Sequence, residues 1–136
     1  MITNADITIY SLAHKGTRNE KWVRTFIPGV NWYGGQKVTV SDTGLLTADF
    51  YTVRIPLDSA PEGKEFVLPE DYALKGDEAL ADFWTLQNGD LVYRGNGPDI
   101  FQAKEITEKS ESFVVTGWRD NRRGSPVMQH WKAEGE

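Results

Sequence analysis

Apolar and polar residues alternate along most of this chain with a period of two, in short runs separated by turn residues. That pattern predicts half-buried strands. Ile7 and Ile9 alternate with Asp6, Thr8 and Tyr10, which predicts a strand over 6–12. Trp22, Arg24 and Phe26 alternate with Val23, Thr25 and Ile27, a strand over 21–27 that Pro28 should end, since proline cannot donate to a ladder. Val30–Tyr33 and Lys37–Val40 flank Gly34-Gly35, and a glycine pair between two apolar runs predicts a hairpin turn there. Ser41–Gly44 reads as another turn. Phe50–Leu57 is the clearest strand, with Tyr51, Val53 and Ile55 on one face and Phe50, Thr52 and Arg54 on the other. A short strand is expected at Glu65–Leu68, closed by Pro69. The only helical candidates lie in 70–84, where Asp77 is placed to cap a turn or two through Leu80 and Phe83. Strands are expected again at Leu91–Arg94, after the Asn88-Gly89-Asp90 turn, and at Ile100–Ile106, Ser112–Trp118 and Pro126–Lys132, the last preceded by a tight loop over Asp120–Ser125.

Such strands, spaced at ~8–12 residues, predict an all-β fold: a small barrel or sandwich of about eight short strands, with at most one or two short helices. The 136 residues suit a single β-rich domain over 1–132, with Ala133–Glu136 as a C-terminal tail. Aromatic residues make up 12% of the chain. Trp22, Trp32, Phe50, Trp84, Trp118 and Trp131 are the expected core anchors.

Composition removes several chemistries. With no cysteine there is no disulfide framework, thiolate zinc site, iron–sulfur cluster or cysteine nucleophile. Two histidines leave little for a histidine-rich metal site. Neither a metal nor a cofactor is expected. No apolar run approaches the ~20 residues of a membrane helix, so no membrane association is expected. Met1–Asp6 lacks the basic and apolar regions of a secretion signal.

Charge is unevenly spread. The net charge is −5, but residues 1–41 carry +3, 42–112 carry −9 and 113–136 carry +1. A chain polarised in this way can present a basic and an acidic face to its neighbours, which steers association and register. A nucleic-acid groove would be far more basic.

No catalytic constellation emerges, and no enzymatic activity is expected. Ser125 and His130 are near in sequence, but no nucleophile elbow surrounds the serine. Adjacent acids such as Glu70 and Asp71 are better explained by solvation and helix capping than by glycoside hydrolysis. Gly95-Asn96-Gly97 lacks the lysine and following helix of a phosphate loop. The most distinctive stretch is Trp118–Pro126. Its arginines Arg119, Arg122 and Arg123, together with Lys132, are candidate partner-binding residues, suited to bidentate contact with carboxylates or phosphates. The competing reading is a turn in which Asp120 pairs with the arginines locally. Five tryptophans also raise a sugar-stacking surface, which would need them in an exposed groove.

Several segments together carry a likeness: Ile2–Tyr10, Gly29–Trp32, Gly44–Asp49, Val53–Pro56, Thr85–Gly95 and Gly124–Lys132. In this order they resemble an uncharacterised family of small proteins from structural-gene clusters of tailed phages and prophages of Gram-positive bacteria. Asn4-Ala5-Asp6-Ile7-Thr8 and Ser125-Pro126-Val127-Met128-Gln129-His130-Trp131 are the most specific parts. The resemblance implies a virion role in the head–tail region: a head-closure or connector ring subunit at the neck, assembled in the host bacterial cytoplasm. Its expected partners are further copies of itself and neck proteins on the portal and tail sides, with DNA passing nearby without sequence-specific binding. The alternatives are a carbohydrate-binding or surface-decoration module of the virion and, more remotely, a small carboxylate hydrolase. The resemblance implies no catalytic residue.

Overall fold

The computed structural model describes residues 3–18, 20–41, 44–59, 61, 63–76, 78–109, 111–123, 125 and 129–136, with side chains left aside over 36–41 and 45–49. The described residues form eight strands: β1 (Ala5–Ala13), β2 (Lys21–Ser41), β3 (Gly44–Pro56), β4 (Glu65–Phe66), β5 (Phe83–Trp84), β6 (Leu91–Arg94), β7 (Ser112–Asn121) and β8 (His130–Gly135). Helices α1 (Pro69–Ala73) and α2 (Lys104–Thr107) are one turn each, and 3-10 turns occupy Leu57–Ser59 and Leu80–Asp82. Six strands close a barrel in the order β1-β2-β3-β8-β7-β6, with β6 returning to β1 and every barrel pairing antiparallel. Strands β4 and β5 make a separate parallel pair. Of the all-β barrel or sandwich expected, the barrel is the fold observed, with two short helices among the described residues.

The two-residue period explains the interior. Ile7 and Ile9 of β1, Ile27 and Val30 of β2, Val53 and Ile55 of β3 and Val92 of β6 are all within 1% of complete burial. The connection between β3 and β6 contributes Phe66, Trp84 and Leu86 to the same core. Phe66, Trp84 and Trp131 meet with ring centroids 4.9–5.4 Å apart. Tilted and edge-on pairs of this kind each add ~0.5–1.5 kcal/mol beyond their area burial.

Trp32, Trp84 and Trp131 are buried as expected, while Trp22 and Trp118 are half-buried and pack against the core from its margin. Phe50 is a correction. It is half-buried and joins no core cluster, because its ring covers Gly35 on the paired strand; Tyr51, one residue on, is the one that packs on the core.

Four element boundaries also differ from expectation. Pro28 does not end β2. Pro28 and Gly29 bulge opposite Asp6, where the register shifts, so the proline owes the ladder no donor. Gly29 takes a left-handed φ of 72° and donates its N–H to Asp6 Oδ1 at 3.0 Å. Gly34-Gly35 is not a turn. The pair lies inside β2 opposite Tyr51 and Phe50, whose rings occupy the space a side chain would need. The β2–β3 ladder closes instead at Ser41↔Gly44, beside the second expected turn. Ile100–Ile106 is irregular and ends in α2. Glu105 accepts the N–H groups of Phe101 and Gln102 at 2.7 Å, which curls the backbone and drops Ile100 and Ile106 into a cluster with Tyr10 and Leu91.

The fourth is the C-terminal tail. Ala133–Gly135 belong to β8, a barrel strand between β3 and β7, and Ala133 and Gly135 are buried. Gly135 passes so close to the Val114 carbonyl that no Cβ fits. The last strand starts at His130; the expected part over 126–128, like Asp77 and its cap, lies outside the described residues.

Candidate functional site

The arginine segment spans the end of β7 and the turn that follows it. Arg119 stands directly across from Lys132, Asp120 from Trp131 and Asn121 from His130. The three arginines do different things. Arg122 donates from Nε to Asp120 Oδ1 at 2.8 Å and from Nη2 to Oδ2 at 2.7 Å, a bidentate fork. Its guanidinium carbon lies 5.2 Å from the ring centres of both Phe66 and Trp131. The hydrogen bonds from Arg122 hold the Asp120 carboxyl below its ordinary range. Arg122 is therefore committed within the fold, as the local-pairing reading had it.

Arg119 and Arg123 are exposed, and Lys132 is half-buried with its Nζ 3.8 Å from Glu134 Oε2. The juxtaposition of Arg119 with Lys132 matters, since like charges directly opposed on a sheet destabilise it. An acidic partner would relieve that opposition. Beside these residues is an open groove of about 690 Å³ lined by Leu57, Leu68, Asp120, Arg122, Arg123 and Gln129. Leu57 and Leu68 are 38% and 45% exposed. The structure thus brings Arg122 and Arg123 together around an apolar floor and leaves Arg119 with Lys132 on the strand pair.

A second feature is a two-stranded arm. β1 pairs with β2 only as far as Val30, and β8 pairs with β3 only from Tyr51 onward. From Gln36↔Asp49 to Ser41↔Gly44, β2 and β3 pair with each other, and no third strand among the described residues joins them. A hairpin without a third strand is marginal by itself in water.

The third feature is a cavity of about 480 Å³ between the end of β1, α1 and the turn before β6. Its lining includes His14, Lys15, Tyr72, Gln87 and Asp90. Asp90 is 1% exposed. Its Oδ2 accepts from Ser11 Oγ at 2.9 Å and from the Gln87 N–H at 3.3 Å, while Oδ1 has no hydrogen-bond partner. Burial pushes the carboxyl up to about 7, against the hydrogen bonds that favour its charged form. Tyr72 is raised too, by burial and then by the charge of Asp90. Among the described residues no three metal-ligating side chains meet.

A family model matches residues 2–136, and its description is a family of unknown function, DUF6751. The chain belongs to DUF6751. Neither the curated proteins nor the solved structures contain a match to it. What marks this DUF6751 chain is therefore its own geometry, and two parts of that were invisible in the sequence. Asp90 follows Asn88-Gly89 and reads as a turn residue; only the return of β6 onto β1 buries it against Ser11. The arm was masked by the glycine pair at its base, which reads as a turn.

Proposed function

We propose that this chain is a structural subunit of a tailed-phage particle, a head-closure or connector protein that forms a ring at the neck between head and tail. The observation that carries the reading is the arm: a closed barrel that extends β2 and β3 into a hairpin joined by no third strand among the described residues suits a subunit whose neighbours complete it. Charge supports the same reading. The connection over residues 57–90 alone carries nine acidic and two basic side chains, while the β7–β8 end presents Arg119, Arg123 and Lys132. Regions of opposite sign of this kind favour contact between unlike parts of neighbouring copies, as a ring requires. The likeness of the opening and closing segments to phage structural-cluster proteins supports assembly in the head–tail region, where portal-side and tail-side proteins would be further partners. The DNA would pass near an acidic protein that offers few phosphate contacts.

A sugar-binding module is less favoured, since Trp32, Trp84 and Trp131 are buried and Trp22 and Trp118 half-buried. The test is a phage lacking this gene, complemented with a labelled copy. We expect heads without tails or heads that lose DNA when the gene is absent, and label at the neck when it is restored. Normal tailed particles without the gene would overturn the proposal. Label spread over the capsid surface would replace it with a decoration role.

A further inference from the structure

We infer that the cavity between the end of β1, α1 and the turn before β6 is a binding site for a free amino acid, held with its ammonium group inward on Asp90 and its carboxylate outward on Lys15. The inference goes beyond the neck proposal and does not depend on it.

The argument begins at the floor. Asp90 lines the cavity and is 1% exposed. Its Oδ2 is occupied by Ser11 Oγ and the Gln87 N–H, while its Oδ1 has no hydrogen-bond partner. A buried acceptor without a donor is costly, the more so when charged, and an occupant that supplies the donor removes that cost. Tyr72 lines the same cavity and is 3% exposed, and its hydroxyl makes no hydrogen bond among the described residues. Burial raises the Tyr72 phenol and the charge of Asp90 raises it further, so the two groups are neighbours. An ammonium suits both. It has three N–H donors to share between the carboxylate and the phenol oxygen, and it brings the positive charge that a desolvated carboxylate lacks.

The rim has the opposite sign. Lys15 follows β1 on a turn fixed by the His14 carbonyl, which accepts the Thr17 N–H at 3.1 Å and Thr17 Oγ1 at 2.7 Å. Lys15 lines the cavity, is exposed, and has no carboxylate paired with it among the described residues. Glu20, the acid nearest to it in sequence, accepts the Gly16 N–H at 2.8 Å. A cavity with an acid at its floor and a cation at its rim is complementary to a small molecule of the reverse polarity. A plain amine would satisfy Asp90 but be repelled by Lys15, and a plain acid would meet Lys15 and leave Asp90 without its donor. An amino acid carries both groups. Water is the alternative occupant, but the cavity of about 480 Å³ is many times the ~30 Å³ share of one water and falls within the ~300–1,000 Å³ of small-molecule sites.

Calorimetric titration of the purified full chain tests this. The probes are the common amino acids one by one, with propylamine and propionate as molecules of a single charge. The titrations are run at pH ~8, where the Asp90 carboxyl is ionised. At least one amino acid should bind saturably at a single site at millimolar concentration, and propylamine and propionate should each bind at least ~ten-fold more weakly. Asp90→Asn should lower the amino-acid affinity about ten-fold, with circular dichroism showing the barrel intact. Lys15→Glu lies on the exposed turn and decides the matter if Asp90→Asn does not fold. It should weaken amino-acid binding about three-fold and strengthen the binding of propylamine. Three results would overturn the inference: no saturable binding of any amino acid, which leaves the cavity to water; propylamine or propionate binding as tightly as the best amino acid; or amino-acid binding unchanged in a folded variant.

Discussion

Two side chains, Asp90 and Arg122, carry consequences well beyond their size. The Asp90 carboxyl ionises at 3.8 in its ordinary state and at about 7 in the fold, because burial disfavours its charge. Between those values the native state holds a proton that the unfolded chain has lost. The stability due to this group is therefore fully present below the lower value and lost as pH rises through the upper one. Asp90→Asn should retain the acceptor for Ser11 while removing the titration. We expect the loss of melting temperature between pH ~5 and pH ~8 to shrink in the variant relative to the parent. An equal loss in both would assign the pH dependence to other groups. Arg122 makes a different prediction. Its ion pair with Asp120 is partly exposed and contributes little alone, but its stacking over Phe66 and Trp131 adds to it. Arg122→Ala should cost about 1–2 kcal/mol in urea unfolding, whereas Arg119→Ala and Arg123→Ala should each stay within ~0.5 kcal/mol. That division was not legible beforehand. Three arginines close together in sequence look equivalent until the turn decides which of them faces the aromatic cluster.

Among the elements, β8 departs furthest from its sequence signal. Ala133-Glu134-Gly135-Glu136 has no β-branched or aromatic residue, and its small residues look like a terminus. They are small because the strand is crowded. Ala133 pairs with Val53 on one side and Trp118 on the other, and Gly135 lies against the Val114 carbonyl. Ending the chain at Lys132 should therefore abolish cooperative melting, since it removes half of a strand that bridges β3 and β7. A truncated chain that melts as the parent does would show that the barrel closes without those pairings. β1 and β6, by contrast, were readable almost to the residue, β1 because polar and apolar residues alternate over Asp6–Ile9 and β6 because turn residues bound a short apolar run on both sides. The stretch 100–106 was not. Ile100 and Ile106 suggested a strand, and only the Glu105 carboxylate reaching back to two amides reveals a turn of helix.

For the molecule as a whole, the period of two was enough to give the fold class and the approximate number of strands. The closure was not readable. The pairings β1 with β6 and β3 with β8 join segments far apart in sequence, and a single sequence carries no local mark of such contacts. The same holds for the sites. A cluster of arginines is visible as composition, while a buried carboxylate and an unpaired strand edge exist only once distant strands have met. Charge lies between these cases. The acidic excess of 57–90 is plain in the sequence, but its placement around Phe66 and Trp84, which enter the core, comes from the fold.

The continuity of β2 past Pro28 has a mechanical meaning. One uninterrupted strand runs from the β1 ladder, through the bulge opposite Asp6, to the end of the arm. A pull on the arm along its length is delivered parallel to the β1–β2 ladder. In that direction the bonds are sheared together rather than peeled one after another, so the barrel grips the arm by many contacts at once. The arm is thus a handle anchored deep in the body, and tension applied at its end is shared by the same residues that build the core.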